Sequence, residues 1–175
     1  MSLILPSKIM IFGRPGGGKS TFARMLSKLT NIPVHHLDRH FYLPNWVERD
    51  YQEFLDIQQS IVETDRWIID GNNTKSLEIR YKNADLVLYF NYPKLTCYWR
   101  VLKRFLTKKE NSEDRAFGCP ENIRWCLLKY MWHFEERVKY QLTKFQKEYP
   151  KVQFVEIRSD SDLKNVKKKF FAYSR

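Results

Sequence analysis

Between the apolar run Lys8-Ile9-Met10-Ile11-Phe12 and a helical pattern lies the octapeptide Gly13-Arg14-Pro15-Gly16-Gly17-Gly18-Lys19-Ser20, which fits the spacing G-x-x-x-x-G-K-[ST]. Phe22, Met25, Leu26 and Leu29 then recur at helical spacing. A flexible glycine turn would need neither the Lys-Ser pair nor a strand before it and a helix after it. The glycines allow successive backbone N–H groups to turn inward around phosphate oxygens, Lys19 adds a cation, and the Ser20 hydroxyl can ligate Mg²⁺ at the helix start. The segment Gly13, Arg14, Pro15, Gly16, Gly17, Gly18, Lys19, Ser20 and Thr21 is therefore expected to bind the phosphates of a nucleoside triphosphate such as ATP. It commits the chain to an α/β fold in which this strand, loop and helix form one unit.

The rest of the chain agrees with that commitment. Short apolar runs at 8–12, 33–37, Trp67-Ile68-Ile69, Leu86 to Phe90 and Val152 to Ile157 alternate with helical patterns, which predicts a parallel sheet wrapped by helices. At 175 residues, with 43% hydrophobic content, the chain suits one domain over 1–175. Asp50 and Glu53 read as a capping box opening a helix over about 50–64, inside a segment of about 39–65 expected to form the helical acceptor side. Residues 94–106 read as a basic helix and 107–120 as a polar lid. Pro120 then opens a long helix whose apolar face runs from Ile123 and Leu127 to Phe145. Trp125, Leu128 and Trp132 lie on its opposite side, which predicts burial on two sides.

No apolar run approaches the length of a membrane span and the N-terminus lacks signal-peptide character, so a cytoplasmic location is expected. Cys97, Cys119 and Cys126 show no Cys-x-x-Cys spacing, which leaves disulfide frameworks and structural zinc unsupported. The net charge of +11 is compatible with a nucleic-acid partner, an anionic small substrate or a solvated basic surface. Its placement matters more. Lys94, Arg100, Lys103, Arg104, Lys108 and Lys109 occur without an intervening acid, whereas Lys164, Lys167, Lys168 and Lys169 read as a solvated helix face.

Two acids end expected strands, where open α/β sheets bind ligands: Asp38 after His35-His36-Leu37, and Asp70 before Gly71. Asp70 suits the Mg²⁺ shell together with Ser20, and Asp38 suits orientation or deprotonation of an acceptor. Adjacent histidines on a strand point to opposite faces, so His35, His36 and His40 are expected to pack or contact the acceptor rather than share a metal. Arg100 and Arg104, four residues apart, share one helix face; with Arg115 in the lid they are expected to neutralise charge developing on a transferred phosphoryl group.

Taken together, Gly13–Ser20, His35-His36-Leu37-Asp38, Trp67-Ile68-Ile69-Asp70-Gly71-Asn72, Arg100-Val101-Leu102-Lys103-Arg104 and Gly118-Cys119-Pro120-Glu121 resemble the bacterial DNA topology modulation proteins, a branch of the adenylate-kinase-related P-loop kinases. The resemblance implies a P-loop NTPase-type three-layer fold, like that of nucleoside monophosphate kinases, with a five-stranded parallel sheet. It also implies ATP with Mg²⁺, an acceptor site around Asp38, Asp70, Gly71 and Asn72, and a short lid with Arg115. Adenylate kinases follow the third-strand Asp-Gly with Phe-Pro-Arg, whose arginine grips the acceptor phosphate. Here Asn72-Asn73-Thr74 stands instead, leaving Arg80 to supply the grip or an alcohol to be the acceptor. The expected activity is phosphoryl transfer to a nucleoside monophosphate or other small acceptor, involving no membrane. The rival is a nucleotide-regulated DNA-binding protein.

Overall fold

The computed structural model describes residues 5–107 and 125–173. In chain order its first half comprises β1 (Lys8–Gly13), α1 (Lys19–Thr30), β2 (Val34–His36), α2 (Leu37–Phe41), β3 (Tyr42–Leu43), β4 (Val47–Glu48) and α3 (Tyr51–Glu63). There follow β5 (Trp67–Asp70), α4 (Leu77–Lys82), β6 (Leu86–Phe90), α5 (Lys94–Leu106), α6 (Trp125–Glu148), β7 (Gln153–Ile157) and α7 (Asp160–Tyr173). Five strands form one parallel sheet in the order β2-β5-β1-β6-β7, as the alternating pattern predicts.

The central strands are apolar throughout because both faces are covered. Ile9, Ile11, Ile68 and Leu88 pack with Phe22 and Leu26 of α1 and with Val166 and Phe170 of α7. Met10, Phe12, Ile69 and Val87 face the other way, onto Phe54 and Ile61 of α3 and Phe134, Val138 and Leu142 of α6. The result is three layers, as expected from the sequence. From central β1 the chain first runs out to β2 on one side and later takes up β6 on the other. The loop after β1 thus opens where strand order reverses, the crevice in which such sheets bind ligands.

Three sequence expectations are corrected. The segment 39–65 is not a continuous helix: α2 ends at Phe41, a two-stranded antiparallel ribbon of β3 and β4 follows, and α3 begins at Tyr51. Pro44 drives Leu43 into an extended conformation, and Asn45 and Trp46 are left-handed, at φ 62° and 61°. Asp50 restarts the helix, its Oδ1 accepting from the Gln52 and Glu53 amides at 3.0 Å each. Asp38 consequently sits in the first turn of α2 and not at a strand end. Finally, α6 is buried only in part on its second side, where Leu128 packs against the core beside α5 but the two tryptophans stand out. Trp125 is 82% and Trp132 50% exposed, with the Lys94 ammonium 4.5 Å from the Trp132 ring centroid.

The expected lid at 107–120, with Lys108, Lys109, Arg115, Cys119 and Pro120, falls almost entirely outside the described residues, as does Ile123. Among the described residues no helix is long and apolar enough to cross a membrane.

Candidate active site

The phosphate loop is held from behind. Arg14 N donates to Phe90 O at 3.1 Å, Gly17 N to Arg14 O at 3.1 Å and Gly13 N to the Asn72 side-chain carbonyl at 3.0 Å. Gly18 caps α1 at φ 89°, a left-handed conformation that a side chain would strain. The Arg14 side chain turns inward, 1% exposed, donating from Nε to Met131 O at 3.1 Å and from Nη1 to Tyr92 O at 2.5 Å. Its expected contact with a ligand is therefore left to its backbone. Gly16 packs against α5, where a Cβ would meet Cys97 O at 2.5 Å. Ser20 is half-buried and Thr21 exposed.

Lys19 lies across this loop, its Nζ donating to Arg14 O at 3.2 Å. Burial pulls its pKa down, the charges of Asp70 and Asp38 push it back up, and Arg104 lowers it further. The fold thus gathers Lys19, Asp70, Asp38 and Arg104, four residues expected from sequence to share a site. Arg100 joins them: its Nη1 approaches Gly17 O at 3.5 Å. The guanidinium stacks 4.4 Å from the Tyr92 ring centroid and pairs with Asp160 at 2.9 Å. The Tyr92 hydroxyl also donates to Asp160 at 2.9 Å, and these bonds from Tyr92 and Arg100 hold the Asp160 carboxyl below its usual range.

Asp70 is 4% exposed and, among the described residues, is the only buried acid. Its register partner on β2 is His36, whose Nδ1 stands 3.0 Å from Asp70 Oδ2. The other oxygen, Oδ1, is buried without a hydrogen-bond partner. An orphaned carboxylate oxygen beside the loop lysine and the Ser20 helix start is a donor set that fits Mg²⁺, which is commonly held by one or two protein oxygens plus substrate phosphates. Among the described residues no group of three or more His, Cys, Asp or Glu forms a cage for a metal by itself.

Asn72, expected from the sequence on the acceptor side, follows β5. Tyr130 on α6 bonds to its side chain, burial raises the Tyr130 pKa, and the nearby charge of Asp38 raises it further. Arg137 stacks 5.5 Å from the Tyr130 ring centroid. The rings of His35 and His40 lie 5.9 Å apart, and burial lowers both their pKa values, favouring neutral imidazoles that suit packing. The grip expected of Arg80 is not there. Its side chain is 0% exposed and donates to Gln58 Oε1, to Ser76 O and Oγ, and to the backbone carbonyls of Asn72 and Asn73. Burial pulls its pKa down to about 9, still high enough to keep the charge at neutral pH. Arg80 props the loop after β5 from beneath, supplying a donor to the part-buried Asn72 carbonyl and a second one to that of Asn73, which Ser76 N also reaches.

Sequence reading missed His36 as the partner of Asp70, and Tyr92 and Asp160 as the partners of Arg100. The His36 pairing could have been sought by aligning the last residues of the two predicted strands; the Asp160 contact carried no local signal.

No protein-family model and no curated protein matches the sequence. Solved structures do resemble the fold. A shikimate kinase from Bacteroides thetaiotaomicron is 12% identical with a TM-score of 0.55, covering 94% of this chain and 98% of its own. One from Acinetobacter baumannii in complex with shikimate is 13% identical with a TM-score of 0.55, covering 95% and 94%. An uncharacterized protein from Eubacterium ventriosum ATCC 27560 is 18% identical with a TM-score of 0.51, covering 93% and 96%. At these identities the likeness is one of fold.

Proposed function

We propose that residues 1–175 form one P-loop kinase-like domain that transfers the γ-phosphoryl group of ATP to a small acceptor. The observation that carries this reading is the buried carboxylate of Asp70, with one oxygen uncommitted, beside Lys19 at the mouth of the phosphate loop. In this reading the loop amides and Lys19 bind the β- and γ-phosphates, and Ser20 and Asp70 hold Mg²⁺. The ion, when bound, would neutralise charge on the phosphates. Arg100 and Arg104 face the transferring group, and Arg115, outside the described residues, is assigned the same role from its sequence position. Phosphoryl transfer asks chiefly for such positioning and charge compensation.

Of the two acceptor classes, a nucleoside monophosphate or an alcohol, the second is better supported. Arg80 is buried beneath the loop, its Nη1 and Nη2 donating to groups of the loop and of α3, while Asp38 stands exposed beside the site. A hydroxyl gains from a base, which an anionic phosphate does not need. The resemblance to DNA topology modulation proteins is retained as a sequence likeness only, and a nucleotide-regulated DNA-binding role rests on the charge of +11 alone.

The test is an ATP-consumption screen over nucleoside monophosphates and small alcohols, including shikimate, for which two of the structural neighbours are named. Stimulation by one acceptor supports the kinase; salt-dependent DNA retention without transfer to any acceptor overturns it. In the same assay Arg100→Ala should lower turnover on the order of a hundredfold, by loss of a preorganised cation. Joint replacement of Lys168 and Lys169, exposed on α7, should leave the rate unchanged.

A further inference from the structure

We infer that His36 is a positioning residue for the metal-binding carboxylate: it fixes Asp70 so that one oxygen alone is presented to Mg²⁺. The inference rests on the kinase reading above and goes beyond it.

The geometry is set by the sheet. His36 and Asp70 are register partners on adjacent parallel strands, so their side chains leave the sheet on the same face and arrive together. Their side chains are 6% and 4% exposed, and Nδ1 meets Oδ2 at 3.0 Å. A carboxylate only accepts hydrogen bonds, so the ring must carry its hydrogen on Nδ1. With Oδ2 occupied in this way, rotation of the Asp70 carboxyl is blocked, and Oδ1 is left buried without a partner. An unmade hydrogen bond at a buried oxygen opposes folding. A fold that supplies a donor to one oxygen and withholds one from the other has therefore selected which of the two remains free. Gly71 closes the rear of the site: at φ 146° it packs so near Leu37 that a Cβ would meet the Leu37 Cβ at 2.6 Å, which leaves no room for the strand end to swing aside. Outer partners of metal-binding carboxylates commonly work in this way, orienting the ligand without touching the ion.

The test compares His36→Phe, which keeps a ring but has no donor, with His36→Asn, whose amide nitrogen occupies nearly the position of Nδ1. The readout is the affinity for a fluorescent ATP analogue measured with and without Mg²⁺, alongside turnover. In the parent, Mg²⁺ should strengthen nucleotide binding. His36→Phe should weaken the Mg²⁺ dependence roughly tenfold, as loss of such an outer partner does, with metal-free nucleotide affinity unchanged. His36→Asn should restore most of the Mg²⁺ response. Should the phenylalanine variant not fold, His36→Ala makes the same comparison with asparagine. Equal Mg²⁺ responses in the donor-free variant and the parent would overturn the positioning role while leaving the kinase reading intact. A parent that binds no nucleotide even with Mg²⁺ would overturn both.

Discussion

Replacing Lys19 with alanine should lower turnover on the order of a thousandfold, the scale expected when a preorganised charge at a reacting group is removed. Thermal stability should stay level or rise. The two halves of this result follow from one fact: the Lys19 ammonium is buried, and burial disfavours its charge. Asp70 and Asp38 offset that cost only in part, so without nucleotide the folded chain carries an unfavourable cation aimed at the loop's own carbonyl. A bound triphosphate would supply the missing negative charge. The checks are steady-state kinetics, nucleotide titration and a melting curve for the same variant. Turnover within about tenfold of the parent would refute the assignment of Lys19, since that is below what even one lost oxyanion donor costs.

Arg80→Met is expected to show the reverse pattern, with stability lost first. Methionine matches the arginine stem in length but donates nothing, so the Asn72 carbonyl loses its donor, and Gln58 Oε1 and the Asn73 carbonyl keep only their bonds from Ser76. Desolvating the guanidinium opposes folding, as its lowered pKa records, but several buried acceptors depend on it. Leaving a buried acceptor without its donor typically costs about 1–3 kcal/mol, and bonds from a charged donor lie at the upper end. For a chain of this size that corresponds to a melting point lower by roughly 10 °C. Activity at a temperature where the variant remains folded should fall as well, because Asn72 also accepts from Gly13 at the head of the phosphate loop. A melting point within about 2 °C of the parent, less than 1 kcal/mol at this size, would show that water satisfies the loop instead. Retained stability with impaired acceptor binding would return Arg80 to the acceptor side.

Much of the architecture was legible because local rules and global topology agree. The apolar runs at Ile9–Phe12, Ile68–Ile69 and Leu86–Phe90 are sheet interior, and the glycines after β1 leave the chain little alternative to a phosphate loop. The ribbon from Tyr42 to Glu48 was not legible. Its left-handed Asn45 and Trp46 override weak local preferences, and a tryptophan gives no warning of positive φ. At the site, Lys19, Asp38 and Asp70 were grouped because each follows an expected strand, and Arg104 because it shares a helix face with Arg100. Arg80 was misassigned because helical position reveals which residues share a face but not which layer that face enters. The pairing of His36 with Asp70 depends on strand register, which links residues 34 apart and is fixed only when both strands enter the sheet.

The inward anchor of Arg14 bears on how the protein is made. Arg14 is synthesised well before one of the carbonyls that holds its side chain, Met131 O, which lies 117 positions later. The loop can reach its finished shape only after the segment around Met131 has left the ribosome, and contacts of such long sequence separation form late and slowly. Nascent chains ending before Met131 would expose a glycine-rich segment lacking one of its fixed points, so competence to hold a triphosphate arrives with α6 and not with the motif that encodes it.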